Sequence, residues 1–229
     1  MSTPILGISS MATRQVLAEL VDAYQQHAGQ RVAIESVGGV DAARRVQAGE
    51  AFDVVILASD AIDKLIASGH VLAGSKVDLV RSGVAVAVRA GTPKPDISSE
   101  DAVRQAILAA RNISYSTGPS GVALAKLFER WGIAEQIGDR IVTPPPGIPV
   151  GSLVAKGEVA LGFQQLSEML NIEGLSVLGP LPPAIQIITT FSAGVCVTSQ
   201  QAGAVRAMLA YMASPAASEA KRRQGMDPA

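Results

Sequence analysis

A chain of 229 residues, 48% of them hydrophobic, can bury a sizeable core as one large domain or two small ones. Only 3% are aromatic, so that core must be built from Val, Leu, Ile and Ala. Nineteen Lys and Arg stand against 20 acidic residues, a net charge of −1, and the only basic cluster is Lys221-Arg222-Arg223. That balance speaks against a nucleic-acid partner. The triplet reads as the positive last turn of a helix. No apolar stretch approaches the ~20 residues of a membrane span, so no membrane insertion is expected.

In chain order, Ile5–Ile8 is a short apolar run that breaks at Ser9-Ser10. A helical pattern from Met11 then carries Val16, Leu17, Leu20, Val21 and Tyr24. Arg31–Ser36 is a second run, broken at Val37-Gly38-Gly39 before a helix holding Ala42, Val46 and Ala51. Asp53–Leu57 is a third, broken at Ala58-Ser59-Asp60 before a helix with Ile62, Leu65 and Ile66. Strand signals alternating with helices predict an α/β fold with a parallel sheet covered on both faces.

From His70 to Val80 the chain reads as loop. Gly83–Ala90 is a long β-branched run, read as a central strand by which the chain leaves the first domain. Hydroxyls then acids at Ile97–Asp101 open a helix to about Arg111. Asn112–Ser116 reads as a strand, Thr117–Gly121 as a loop and Val122–Trp131 as a helix. Thr143–Pro149 is a stiff extended segment because each proline biases its predecessor away from helix. A helix over Val150–Ala155 and a strand over Glu158–Phe163 follow, with Gln164-Gln165 placed after that strand. Ile185–Phe191 and Gly194–Val197 form a second long β signal able to pair with Gly83–Ala90. A helix with Val205, Met208, Leu209 and Met212 comes next, and Pro215 starts the last one.

In open α/β sheets ligands bind beyond the carboxyl ends of the strands. Here those ends are small, hydroxylated or glycine, and each leads into a helix N-terminus, chemistry that suits a small anion. Ser9, Ser10 and Met11 are candidates from the first unit, with Ser9 or Ser10 as a mere N-cap the alternative. Gly38, Gly39, Val40, Ser116, Ser120 and Gly121 repeat the arrangement. Arg81, next to Ser82, either pairs bidentately with a carboxylate or is a surface arginine. Gln164 and Gln165 both donate and accept, which suits a carboxylate or hydroxyl. Asp41 and Asp60 are the candidate bases, with first-turn acids favoured by the helix dipole as the alternative. Tyr115 reads as core and Glu168 as a solvated helix residue. Cys196, the sole cysteine, reads as a buried thiol. His27 and His70 lack neighbours at ligand spacing, so no metal and no cofactor are expected.

Two βα units, two long strands and a helical C-terminus together resemble the type 2 periplasmic binding protein fold. The run Ala48-Gly49-Glu50-Ala51-Phe52-Asp53-Val54 and the run Lys156–Gly162 are similar to its molybdate-binding group. That resemblance implies two lobes with mixed sheets flanked by helices and a ligand cleft between them. It also implies lobe one from 1–82 plus 192–229, and lobe two from 83–191. It places Ser10 at the first oxyanion-binding hydroxyl and Pro149-Val150 at a backbone-donor position. Where the group has a second hydroxyl, near Gly39-Val40, and a tyrosine, near Gln164-Gln165, this sequence has neither. Gly162–Glu168, Arg81-Ser82-Gly83 and Thr190–Gly194 resemble instead the subgroup that includes aconitate isomerase.

Two functions follow from these resemblances. One is binding of a small organic anion, a di- or tricarboxylate or related oxyanion. The other is isomerisation of an unsaturated tricarboxylate by an allylic proton shift, for which the sequence offers no evident base. The first residues show no basic region, apolar region and cleavage site in series. As written the chain is expected in the cytoplasm; a removed signal would place it in the periplasm, with an ABC permease as partner only in that case.

Overall fold

The computed structural model describes residues 3–145 and 147–229. The chain divides into two compact units: one holds the chain up to Ser82 together with Thr189–Ala229, the other Gly83–Ile188.

β1 (Ile5–Ser10) passes through a 3-10 turn at Met11–Thr13 into α1 (Arg14–Ala28). Then come β2 (Val32–Val37), α2 (Gly39–Gln47), β3 (Val54–Ala58) and α3 (Ser59–Ala67). β4 (Val77–Arg89) crosses from the first unit into the second. There it is followed by α4 (Glu100–Ala109), β5 (Ile113–Tyr115), α5 (Pro119–Arg130), α6 (Ala134–Ile137) and α7 (Val150–Ala155). β6 (Leu161–Gln165), α8 (Leu166–Met169) and β7 (Leu175–Pro180) complete that unit. β8 (Ile188–Val195) returns to the first unit, which ends with α9 (Ala202–Ala213), α10 (Ser218–Arg223) and β9 (Asp227–Pro228).

In the first unit the strand order is β2-β1-β3-β8-β4, with β9 on β4. β1 is parallel to β2 and β3, and β8 is antiparallel to β3. Successive residues of a strand face opposite sides. Val54 and Ile56 of β3 therefore join the core formed by Val16, Leu17 and Leu20 of α1 and Val205, Met208 and Leu209 of α9. Val55 and Leu57 join Ala42 and Val46 of α2 and Ile62 and Leu65 of α3. All five residues of β3 are buried, which is why its sequence shows no polar alternation. α1 stops at Gly29, whose φ of 67° is the left-handed cap that favours glycine.

In the second unit β4 pairs antiparallel with β6 and β7, and β5 runs parallel to β6. Val84, Val86 and Val88 of β4 face Val103 and Ile107 of α4 and Leu124 and Phe128 of α5. Ala85 and Ala87, on the other face, meet Leu166 and Met169 of α8. Tyr115 sits with its ring 5.7 Å from that of Phe128.

Several boundaries differ from the sequence reading. β4 begins at Val77, inside the stretch read as loop. Val80 and Arg81 pair with Pro228 and Asp227, and Ser192 donates to Asp78 Oδ1 at 2.6 Å, partners far away in sequence. Ser9 and Ser10 end β1 and do not break it, and Gln164-Gln165 are the last residues of β6, not its sequel. Ile185 lies in a 3-10 turn, so the second long strand begins only at Ile188. Of the extended segment Thr143–Pro149, Pro146 lies outside the described residues. Cys196 is buried as expected, and burial, then the charge of Asp53, pushes its thiol up to about 12.

Candidate functional site

In the first unit the parallel register sets the carboxyl ends of β1, β2 and β3 side by side. Ser9 is fully buried and its hydroxyl meets that of Ser36 at 2.8 Å, a β2 partner the sequence reading passed over. Ser10 is 7% exposed and makes no side-chain cap for the turn it precedes. Its Oγ is buried and has no hydrogen-bond partner among the described residues. A hydroxyl withdrawn from water without a partner costs roughly 1–3 kcal/mol, so it needs an account. Beside it, a Cβ built on Gly39 would stand 3.7 Å from Ser10 Cβ, which puts the first residue of α2 against Ser10. Gly38 precedes that helix with nothing near a built Cβ, and Val40 is 78% exposed. Ser10, Gly38 and Gly39 thus form a small polar corner with free helix N–H groups at hand.

Other candidates stand elsewhere or are already engaged. Arg81 is exposed and donates from Nη2 to the Pro228 carbonyl at 3.1 Å, tying down the C-terminal strand. Ser82 is buried, with an Oγ that has no partner among the described residues. Asp41 pairs with Arg44 one turn on, and Asp60 with Lys64 at 3.6 Å. Both acids sit in the first turns of their helices and their side chains are exposed, which fits dipole complementation better than proton chemistry.

In the second unit the parallel pairing of Tyr115 with Phe163 aligns the carboxyl ends of β5 and β6. Ser116 and Ser120 share a hydrogen bond of 3.0 Å across the start of α5. Gly121 is there for space, because a Cβ would fall 1.6 Å from the Ser116 carbonyl oxygen. Pro149 precedes α7 and Val150 is buried. Gln164, 4% exposed, accepts from Gly151 N at 3.1 Å, linking β6 to the first turn of α7. Gln165 is buried beside it at 3% exposure.

Glu168 overturns the sequence reading. The residue keeps some surface, but its carboxyl group is withdrawn from water, and burial pushes it up from 4.5 to about 7 against the lowering effect of a hydrogen bond with Gln164. The cause is tertiary. Leu166 and Met169 dock on Ala85 and Ala87 of β4 and seat α8 against the sheet, and the acid between them is withdrawn from water in the folded unit. A local hint existed: Gln164 and Glu168 are four apart, and apolar residues bracket the acid on both sides.

This carboxyl makes stability depend on pH. Between about 4.5 and about 7 the folded chain keeps a proton that the unfolded chain has released. Stability is therefore full below 4.5, falls as pH rises, and levels off above about 7. Glu168→Gln is expected to remove that loss, raising stability at pH 8 by about 3 kcal/mol and Tm by roughly 6–12 °C, with little change at pH 4. Calorimetry at both pH values checks it, and equal Tm at pH 8 would contradict the desolvated carboxyl.

Comparisons with known proteins bear on both units. The aconitate isomerase of Pseudomonas sp. is 38% identical to this chain over 242 residues, 99% of this chain and 92% of that protein. The periplasmic molybdate-binding protein of Azotobacter vinelandii superposes with a TM-score of 0.80 at 20% identity, over 97% of this chain and 98% of that one. The sulfate-binding protein of Mycobacterium tuberculosis gives 0.80 at 19%, over 99% and 87%. At such identities the two structures speak for the fold. No helix among the described residues is long and apolar enough to cross a membrane. Residues 5–227 match the bacterial extracellular solute-binding proteins, a span that takes in both units and every candidate residue, and the chain belongs to that family.

Proposed function

We propose that this chain binds a small organic anion, a di- or tricarboxylate, at the carboxyl ends of its strands. The observation that carries this is Ser10: a buried hydroxyl with no partner among the described residues, set against the first residue of α2. A carboxylate there would accept from the hydroxyl and from helix N–H groups together. In the second unit Gln165 ends β6 with an amide that can both donate and accept, chemistry that favours a carboxylate over a bare tetrahedral oxyanion. The test is thermal denaturation with cis- and trans-aconitate, and with molybdate as the contrasting anion. A Tm rise with the carboxylates, and a Ser10→Ala affinity about tenfold weaker, is the expected result for loss of one bond to a charged group. A rise with molybdate alone overturns the carboxylate.

A second reading, isomerisation of the bound acid, is favoured by the 38% identity to an aconitate isomerase across nearly the whole chain. Proton NMR of aconitate in D2O decides between the readings. Interconversion with deuterium at the allylic carbon supports the enzyme. Unchanged aconitate with a raised Tm supports a capture protein, whose place is the periplasm and whose partner is the permease of an ATP-driven transporter.

A further inference from the structure

We propose that the Glu168 carboxyl, oriented by Gln164, is the group that removes and returns the proton in this isomerisation; the assignment rests on the isomerase reading. Gln164 has two ends. Its Oε1 accepts from Gly151 N at 3.1 Å, so the end left for Glu168 is the NH2, a donor. Gly151 is itself fixed, because α7 packs so tightly that a Cβ there would lie 2.6 Å from Ile172 Cδ1. The chain of contacts from α7 through Gln164 thus presents a donor to one carboxyl oxygen and holds the group in place. In the proposed step the other oxygen takes the reacting proton.

Among the described residues no charged group acts on the carboxyl. β6, β7 and α7 contain no ionisable side chain and Glu168 is the only one on α8, while β4, on which α8 also docks, carries Asp78, Arg81 and Arg89, which meet Ser192, Pro228 and the neighbourhood of Gly157 instead. Without a cation beside it the group stays a useful base near neutrality, where an ordinary carboxylate is too weakly basic and Asp41 and Asp60 are engaged with Arg44 and Lys64. It also stands at the carboxyl end of β6, beside Gln165 and next to the end of β5.

The step balances on its own. A carboxylate oxygen of Glu168 takes a proton from the CH2 between a carboxylate and the double bond. The C–H electron pair becomes the new double bond, and the former double-bond carbon farther away receives the proton back from Glu168. Nothing is oxidised or reduced, and no co-reactant is needed. Exchange of the carboxyl proton with solvent between the two halves carries deuterium into the product.

The experiment is the aconitate time course in D2O with wild type, Glu168→Gln, Glu168→Asp and Gln164→Met. Wild type is expected to turn over with kcat/KM rising through pH ~7 as Glu168 ionises. Glu168→Gln is expected to lose 100-fold or more in kcat while keeping the ligand-induced Tm rise, and Glu168→Asp to keep a residual rate. Gln164→Met is expected to move the pH limb upward, because the lost donor favoured the ionised form; a merely structural glutamine would leave that limb in place. Wild type that leaves aconitate unchanged overturns the isomerase reading and this assignment with it. A Glu168→Gln protein as fast as wild type, or an unmoved limb in Gln164→Met, overturns the assignment or the orienting role while the isomerase stands.

Discussion

Gly121→Ala is expected to cost at least about 4 kcal/mol, the largest effect of any single methyl group considered for this chain. The reason is contact, not backbone conformation, since Gly121 is not among the glycines with positive φ. Its Cβ would lie 1.6 Å from the carbonyl oxygen of Ser116, 2.7 Å from the carbonyl carbon and 3.2 Å from Tyr115 Cδ2. The first two are backbone atoms at the end of the loop from β5, so no side chain can swing aside. α5 would have to lift away, breaking the Ser116–Ser120 hydrogen bond and opening the contacts of Leu124 and Phe128 with β4 and β6. Ordinary overpacking costs about 1–3 kcal/mol, and a clash with fixed backbone lies beyond that range. Gly118→Ala is the control: its φ of −84° is open to alanine and nothing lies within 4 Å of a built Cβ. Urea unfolding of both variants gives the comparison. A Gly121→Ala unfolding free energy within about 1 kcal/mol of wild type would mean that the helix start is far more yielding than its geometry indicates.

Asp53→Ala is expected to cost about 3–4 kcal/mol, through the groups it leaves behind. Asp53 is 8% exposed and serves three donors. Oδ2 accepts from Leu6 N and from Gln201 Nε2, both at 2.9 Å, and Oδ1 accepts from Ser199 Oγ at 2.6 Å. Its backbone joins the same junction, donating to Leu6 O at 2.7 Å and accepting from Cys196 N at 2.9 Å. The carboxylate thus ties the start of β1 to the entry of α9. Removing it strands the Leu6 N–H and Ser199 hydroxyl, while Gln201 retains only the Pro4 carbonyl at 3.0 Å. Asp53→Asn keeps the volume and one acceptor oxygen and is expected to cost less than half as much. Equal losses in the two variants, measured by denaturant unfolding, would show that the ionised carboxylate with both acceptor oxygens, and not the volume, is what matters at this position.

The first unit was largely legible because its signals are local. Runs such as Val54–Ala58 are apolar throughout, and α1 repeats its buried residues at three and four, so order and type follow from periodicity alone. The start of β4 was not legible. Val77–Ser82 becomes strand only because β9 and Ser192 supply partners more than a hundred residues on, and no window contains both. The site was read unevenly for the same reason. Hydroxyls and glycines at strand ends are visible as residue types, so Ser10, Gly39 and Ser116 could be placed beside strand ends from the sequence alone. Gly121 also answers a steric need that the sequence does not display, since a Cβ there would meet Ser116 O. Glu168 was misjudged because an acid in a helix is ordinarily solvated, and its desolvation arises in a tertiary setting in which α8 packs on a strand just over eighty residues earlier.

The return of β8 to the first unit sets a timetable for synthesis on the ribosome. Gly83–Ile188 is continuous, and Val84 N reaches Ile187 O at 3.1 Å, so that unit holds all its own strands and both its ends once Ile188 has emerged. The earlier-made unit cannot finish. Val54 has no β8 neighbour until Val195 appears, and at ~5–20 residues per second that delay is on the order of ten seconds. During that interval the fully apolar edge of β3 is open to the solvent and to other nascent chains. The part translated second can therefore complete its sheet first, whereas the β8-facing edge of β3 is paired only once the segment from Thr189 onward has been made.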